Sequence, residues 1–465
     1  MWRDSVVELV LLIDFGSTFT KLTVVDLLKE EIAATAKALT TVDTDIMTGF
    51  KNALAQVEQK LGRRLKFKHK FAASSAAGGL RMISIGVVQE LTVKAARTAA
   101  LKAGAKVIET LSYKLKTRDL QRIESLKPDI LLLVGGTDGG NEEILVYNAK
   151  MLSKLNIDVP IVFAGNFRVK DRVADILSRG GKTVYVTENV MPKLNILNAE
   201  PARKVIHDVF IEKIIEAKGL EKADAFVDET LVPTPSAVLD AAKLLADGTP
   251  EEEGLGPLML VDVGGATTDL YSIGWGDPED DNVLKKGMEE PYAKRTVEGD
   301  LGVRYNARNL LQTIIKRHDT NEIKIKELAS WVERVKTDLG ILPQTPSEYK
   351  MDEALAKIAV NLAVERHVGY RKPTSLPFGP KYLQWGKDLT GIKYVVGTGG
   401  VVIHSKNPLN ILKEAIYDKS NPNILKPKKP AFLLDKLYIL SAMGLLSKHY
   451  PSTALRIMKK NLVLL

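Results

Sequence analysis

The stretch Leu11–Asp26, "LLIDFGSTFTKLTVVD", decides how this chain is read. It has the form of two apolar strands hinged on Asp14, Phe15, Gly16, Ser17 and Thr18. Apolar strands are ordinary, but an acid, a glycine and two hydroxyl residues in the turn between them are not. The same grammar returns at Leu258–Ile273, "LMLVDVGGATTDLYSI", with Asp262 in the place of Asp14. A turn containing glycine, here Gly16 or the pair Gly264 and Gly265, lets backbone N–H groups approach an anion closely because no Cβ intervenes. Ser17, Thr18, Thr267 and Thr268 add hydroxyl donors, and Lys21 on the following strand can neutralise a terminal phosphate. A carboxylate beside a phosphate repels it unless a cation lies between them. Asp14 and Asp262 therefore point to Mg2+, held through water because this ion sheds its hydration reluctantly. Either turn alone reads more simply as a β-turn whose Asp caps its own backbone. Two copies in separate halves are better explained by one nucleotide clamped between two lobes. A third glycine turn, "VVGTGGVVIHS" (Val395–Ser405), follows a strand, and Gly397, Gly399 and Gly400 would let backbone pass close to an adenine or ribose.

Composition sets the frame around these turns. At 465 residues the chain is too long for one ordinary core, so two or more domains are expected. Hydrophobic residues make up 45% and charged residues 26%, a globular balance. The net charge of +9 is spread out, with no long basic run and no aromatic interleaving, which argues against nucleic-acid binding. The short run "KPKKP" (Lys426–Pro430) reads as an exposed linker. There is no cysteine, which excludes disulfides, zinc–thiolate sites and cysteine-bound iron–sulfur clusters and fits a reducing cytoplasm. The N-terminal apolar run is broken at Asp14 and reads as a buried strand rather than a signal peptide. No apolar stretch approaches the ~20 residues of a membrane span, so a soluble protein is expected.

The chain is organised in blocks. Residues 1–87 are read as the N-terminal part of a first lobe, in which "IMTGFKNALAQVEQKLG" forms a helix with Ile46, Phe50, Leu54, Val57 and Leu61 on one face and Gly62 as its stop. From 88 to 232, strands alternate with helices, which indicates βαβ units and a parallel sheet inserted into that lobe. Residues 233–257 are a linker, its acidic, glycine-rich part at 247–257. Residues 258–432 form a second lobe, and 433–465 are C-terminal helices returning towards the first. "FLLDKLYILSAMGLLSKHY" reads as one long helix with Leu433, Leu434, Leu437, Leu440, Met443 and Leu446 on its buried face. The fold class is thus α/β.

The order Asp14-Phe15-Gly16-Ser17…Lys21, then Asp262-Val263-Gly264-Gly265-Ala266-Thr267-Thr268-Asp269, then Gly397-Thr398-Gly399-Gly400 resembles the superfamily of actin, heat-shock chaperone ATPases and sugar kinases. The resemblance implies two actin-like ATPase (ribonuclease H-like) lobes, with these segments as the first phosphate loop, the second phosphate loop and the adenosine-side loop. It also implies that Asp435–Ser447 is the interlobe helix, with Ala442 and Gly444 small enough for close crossing, and that Glu298 and Gly299 line the cleft. "FAASSAAGGLRM", "LLLVGGTDGGN", "RTVEGDLGVR" and "VVGTGGVVIHS", in that order and over nearly the whole chain, resemble the accessory protein of adenosylcobalamin-dependent glutamate (methylaspartate) mutase. The function this implies is ATP-dependent reactivation of a cobalamin mutase, by exchange of damaged cobalamin. Its cofactors would be ATP and Mg2+, its partners the mutase subunits, and Asp262 or Asp269 would polarise the attacking water.

Rival readings are narrower. A small-molecule kinase of the same superfamily would need a carboxylate base aimed at an acceptor hydroxyl, and none stands out in the first lobe. A filament-forming relative would sediment with nucleotide. An activator of 2-hydroxyacyl-CoA dehydratases would need cysteines. The six histidines (His69, His207, His318, His367, His404 and His449) show no ligand spacing, and no Asp-x-His-x-x-Gly signature is present, so direct cobalamin binding is not expected. "LLLVGGTDGGN" (Leu131–Asn141) lacks a P-loop lysine and reads as a tight turn with Asp138 or Asn141 capping the next helix. Ser74 and Ser75, in a small-residue segment without an adjacent histidine, read as close packing rather than a nucleophile.

Overall fold

The computed structural model describes residues 8–16, 19–41, 45–75, 80–100, 105–194, 196–218, 221–278, 280–287, 289–317, 324–374 and 381–465. The chain divides into two compact units, 1–238 and 239–465. Ser17 and Thr18 of the first turn, Gly78 and Gly79, and His318 lie outside the described residues.

The first unit begins with β1 (Leu9–Phe15), β2 (Phe19–Asp26) and β3 (Glu31–Leu39), an antiparallel meander. Every residue of β1 is buried, as befits a central strand covered on both faces. Helix α1 (Ile46–Leu61) starts where the Asp45 carboxylate accepts from Met47 N at 3.0 Å and ends at Gly62, whose φ of 66° is the left-handed conformation that favours glycine. Its buried Ile46, Phe50, Ala53 and Val57 pack on the sheet, as the spacing predicts, while Leu54 and Leu61 are half-buried. β4 (His69–Ser74) then returns parallel to β1.

A second sheet follows in the chain: β5 (Leu80–Gly86), α2 (Gln89–Ala100), β6 (Ala105–Ser112), α3 (Thr117–Leu126), β7 (Ile130–Gly135), α4 (Glu143–Leu152), β8 (Ile161–Gly165), α5 (Lys170–Arg179) and β9 (Val184–Val186). Its strands are all parallel, in the order β6-β5-β7-β8-β9. The unbroken apolar run Ile130–Val134 is what a strand buried on both faces requires. The sheet begins at Leu80, ahead of the block read as starting at 88. After α6 (Glu200–Lys218) and α7 (Glu221–Asp224), the chain rejoins the first sheet as β10 (Val232–Pro233), parallel to β4. The first sheet therefore reads β10-β4-β1-β2-β3.

The boundary between the units falls within α8 (Thr234–Asp247). The stretch 247–257, expected as a linker, is a folded hairpin of β11 (Gly248–Thr249) and β12 (Glu252–Glu253). The second unit then repeats the plan with β13 (Leu258–Val263), β14 (Thr268–Ile273), β15 (Val283–Lys285), β16 (Ala293–Glu298), α9 (Ala307–Arg317), α10 (Ile325–Thr337), α11 (Pro346–His367), β17 (Tyr370–Pro373), β18 (Tyr382–Trp385) and β19 (Tyr394–Thr398). β13 pairs antiparallel with β14, β14 antiparallel with β16, and β13 parallel with β19. α12 (Gly400–His404) and α13 (Pro408–Leu412) lead to β20 (Ala431–Leu434), parallel to β19. The order is β16-β14-β13-β19-β20, extended by β21 (Val463–Leu464). Position by position this matches β3-β2-β1-β4-β10, so each half contains the same mixed sheet. The three-stranded sheet β15-β18-β17 has no counterpart there.

Two expectations are corrected. The run 432–450 is not one helix: β20 ends at Leu434, Asp435 begins a turn, and only then do α14 (Leu440–Leu446) and α15 (Pro451–Asn461) form. Leu437, placed on the helix stripe by spacing, lies in that turn and is 44% exposed. The run is apolar throughout, and periodicity does not separate strand from helix in such a sequence. Within "KPKKP", Lys426 and Pro427 are buried rather than exposed. The Lys426 ammonium reaches Glu414 O at 3.4 Å, with Glu365 at 3.8 Å, and burial lowers its pKa.

Candidate functional site

The two acid-bearing turns are built alike. In the first, Gly16 N donates to Phe19 O at 3.1 Å; in the second, Gly264 N donates to Thr267 O at 2.9 Å. A Cβ on Gly16 would stand 2.6 Å from Phe19 O and one on Gly264 would stand 2.9 Å from Thr267 O, so both positions need glycine to close the turn. Asp14 pairs across its hairpin with Lys21, and Asp262 pairs across its own with Asp269.

The surroundings differ. Asp14 is buried, its Oδ1 accepts from Thr234 Oγ1 at 2.7 Å, and its Oδ2 faces Lys21 Nζ at 3.5 Å. Thr234 opens α8, directly after β10. The carboxyl ends of three strands meet here, because Asp14 lies beside Ala73 and Ala73 beside Val232. Ser74, buried, donates to Phe15 O at 3.4 Å, which is the packing role expected of it.

In the second unit Asp269, proposed as a polariser, spends both oxygens. Oδ2 accepts from Thr267 Oγ1 at 2.8 Å, and Oδ1 accepts from Arg295 Nε at 3.1 Å and Nη2 at 2.8 Å. Burial works against the Arg295 charge, yet Asp269 and the neighbouring Tyr271 outweigh it and hold the guanidinium pKa above its usual value. Burial likewise pushes the Tyr271 phenol well up. Asp262 is half-buried, and the third glycine turn presses against it: a Cβ on Gly399 would lie 2.8 Å from Asp262 Oδ1 and 2.4 Å from Val263 O. Gly399 has φ +95°, a second reason for glycine. Gly397 instead makes room for the Leu412 side chain, and a Cβ on Gly400 would meet nothing within 4 Å.

The segment after β16 is laced to the second turn. Arg304 N and Tyr305 N donate to Gly265 O at 2.9 and 3.0 Å, Thr268 Oγ1 donates to Leu301 O at 2.8 Å, and Asn306 Nδ2 donates to Gly299 O at 2.9 Å. Gly299 and Gly265 thus belong to one turn cluster. Glu298 lies across the ladder from Thr268, and its carboxylate pairs with Arg366 Nη1 at 2.8 Å. Arg304 is itself locked by a two-pronged pair with Asp352, which also accepts from Trp331 Nε1 at 2.9 Å.

Sequence reasoning missed Thr234 and Asp435. Thr234 lies in "VPTPS", where two prolines read as punctuation. Asp435 follows β20 as Thr234 follows β10. Its Oδ2 accepts from Thr398 Oγ1 at 3.1 Å, and its Oδ1 from Ile439 N at 2.9 Å. In each half the residue after the last parallel strand bonds back to another strand's carboxyl end, two strands away in the first half and adjacent in the second, and stands at or near the start of a helix. A hydroxyl or acid immediately after the last strand of each repeat was the available signal.

The Leu131–Asn141 loop is the capping turn expected. Asn141 Oδ1 accepts from Ile144 N at 3.0 Å. Asp138 Oδ1 accepts from Phe167 N and Asn189 Nδ2, both at 2.9 Å. Among the described residues, no helix is long and apolar enough to cross a membrane.

The chain can now be set beside known proteins. Among solved structures, gluconate kinase from Lactobacillus acidophilus is similar at 10% identity and a TM-score of 0.35, covering 97% of this chain and 92% of that one. A glycerol dehydratase reactivase is similar at 11% identity and a TM-score of 0.34, covering 95% and 99%. Likenesses this faint carry no weight for function. Closer in sequence is the protein named "Protein MutL" from Clostridium tetanomorphum, 50% identical over 460 residues, which cover 97% of this chain and 99% of the relative. A family model described as MutL protein matches residues 10–462, and the chain therefore belongs to the MutL protein family.

Proposed function

We propose that this MutL-family chain is an ATP-dependent reactivating factor for an adenosylcobalamin-dependent mutase, glutamate mutase being the candidate, and that one Mg-ATP engages both acid-bearing turns. The observation that carries the nucleotide reading is the duplicated sheet: two copies of one strand order, each with a glycine-closed turn and an aspartate at the end of its central strand. Duplicated turns of this kind are economically explained by a ligand with charge to share between them. The actin-like, ribonuclease H-like assignment of the two lobes is part of the same reading, as is the mutase partner, which rests on the sequence resemblance.

The donor set fits a hydrated Mg2+. Asp14 is held by Thr234 and Lys21, and Asp262 is pressed by Gly399, so each half offers an oriented carboxylate rather than a cage. When bound, the ion would neutralise polyphosphate charge. Lys21 would face the terminal phosphate, and the backbone N–H groups of the Gly16 and Gly264–Gly265 turns, with Ser17, Thr18, Thr267 and Thr268, would cradle the rest. Glu298, Gly299, Gly397, Gly399 and Gly400 would border the nucleoside. Asp262 or Asp269 would orient the attacking water, the latter while bound to Thr267 and Arg295. Binding and hydrolysis would then shift the chain between two conformations by differential affinity.

The test supplies purified protein, Mg-ATP and free adenosylcobalamin to a glutamate mutase inactivated with a cobalamin analogue. Recovery of activity that needs all three is expected. An unchanged, inactive mutase would contradict the reading.

A further inference from the structure

The parallel sheet β6-β5-β7-β8-β9 presents its carboxyl edge through the loops after each strand. In an open parallel sheet, a small ligand enters where the strand order reverses, here between β5 and β7. That crevice is stoppered. A Cβ on Gly135 at the end of β7 would lie 2.9 Å from both Val87 N and Val87 Cγ2, so backbone and side chain already fill the gap.

The loops are nonetheless held with unusual care. Asn148, fully buried, accepts from Leu115 N and donates to Tyr113 O, each at 2.9 Å. Asn166, also fully buried, accepts from Gly139 N at 3.0 Å and Arg168 N at 3.1 Å. Asn189 donates to Gly136 O at 2.9 Å and accepts from Met191 N at 3.0 Å. Tyr113 is kept at φ 67°, a left-handed conformation that costs a residue with a Cβ, while its ring is 61% exposed. A hydrogen-bonded frame that imposes strain and leaves an aromatic ring in water is not explained by core packing.

What the frame displays is an apolar row. In strand order it holds Tyr113 after β6, Val88 after β5, the flat glycine loop after β7, Phe167 after β8, then Leu194 and Ile196 after β9. The five side chains are between 50% and 65% exposed. At the usual strand spacing the row spans about 19 Å. Pro192 O accepts from Asp138 N at 2.9 Å and so ties the last loop to the glycine loop. Cations mark both ends: Lys114, Lys116 and Arg118 follow Tyr113, and Arg168, Lys170 and Lys193 flank Phe167 and Leu194. Lys170 Nζ lies 3.9 Å from the centre of the Phe167 ring. Some of this charge is spent within the chain, Lys114 on Glu143 and Arg118 on Asp119, while Asp138 accepts from Phe167 N and Asn189.

We propose that this carboxyl edge is a protein-docking surface, and that its occupant is a folded partner presenting an apolar strip with carboxylates at both ends. A closed crevice excludes a small molecule, an exposed apolar row needs cover, and cationic ends select acidic ones. The mutase is the occupant, and this identification rests on the function proposed above.

The experiment measures binding of purified glutamate mutase to the full chain. Tyr113→Gly removes the ring while suiting the backbone angle, and Phe167→Ala removes the second ring. Each is expected to weaken binding at least tenfold, and Lys170→Glu with Lys193→Glu to weaken it further at low salt. Mg-ATP binding and thermal unfolding serve as controls for folding and should stay within error. A photo-crosslinking amino acid at 167 is expected to join the mutase. Binding by wild type with unchanged affinity in the variants would overturn the docking surface alone, as would crosslinking to a second copy of this chain. Failure of wild type to bind would overturn both the surface's occupant and the mutase reading. Loss of Mg-ATP binding with mutase binding retained would contradict only the nucleotide proposal.

Discussion

The turn at Gly16 and the turn at Gly264 have the same strand order, the same backbone bond three residues apart and the same steric demand for glycine. They part at the position across the ladder. Asp14 faces Lys21, a cation with its side chain 26% exposed, whereas Asp262 faces Asp269, whose charge is cancelled by the buried Arg295 from the next strand. A duplicated scaffold has therefore been given unlike electrostatics. The first turn has a cation of its own beside its acid; the second has its cross-strand acid sealed by a buried guanidinium. Backbone geometry is the shared inheritance of the halves, and charge is where they specialise.

The largest break in this comparison should come from the buried pair. Asp269→Ala leaves Arg295 charged and uncompensated, with an expected loss of about 3–5 kcal/mol. Lys21→Ala, at the matching ladder position, should lose only ~1–2 kcal/mol, because Asp14 keeps its bond from Thr234. Urea unfolding of both variants checks the ratio, and equal losses would mean the two positions are equivalent after all. Next come the glycines. Gly16→Ala and Gly264→Ala should each lose about 1–3 kcal/mol, since both push a Cβ onto a carbonyl oxygen of the same turn. Unfolding midpoints that differ widely between the two would break the shared-backbone claim.

A smaller effect concerns pH. Burial and the neighbouring Lys294 lower Lys387 to about 7, with its ammonium against Gly274 O at 2.6 Å and Tyr292 O at 2.8 Å. Between about pH 7 and the ordinary lysine value, the unfolded chain holds a proton that the folded chain has released. Stability should therefore rise with pH across that window and level off below about pH 7, where both states hold the proton. Thermal unfolding of wild type and Lys387→Met at pH 6.5 and 9 reads the difference: wild type should gain more on alkalinisation than the variant, and parallel shifts would contradict it.

Much of this was legible in the sequence because it is local. The two hairpins, the helix closed by Gly62 and the βα alternation all follow from short-range pattern. The Asp269–Arg295 pair was not, because the partners are 26 residues apart and nothing local marks them. Thr234 was hidden between prolines, although its bond to Asp14 spans 220 positions. β17 and β18, "YRKP" and "YLQW", are too short to show alternation, so the three-stranded sheet was missed. The apolar run around Asp435 suited strand and helix equally, and only the bond from Thr398 and the cap on Ile439 decide it.

Titration calorimetry of Mg-ATP into the full chain and into Asp14→Ala and Asp262→Ala tests the central claim most directly. The account predicts one site per wild-type chain and affinity reduced at least a hundredfold by either substitution. No heat with wild type, or full affinity in one of the two variants, would contradict it.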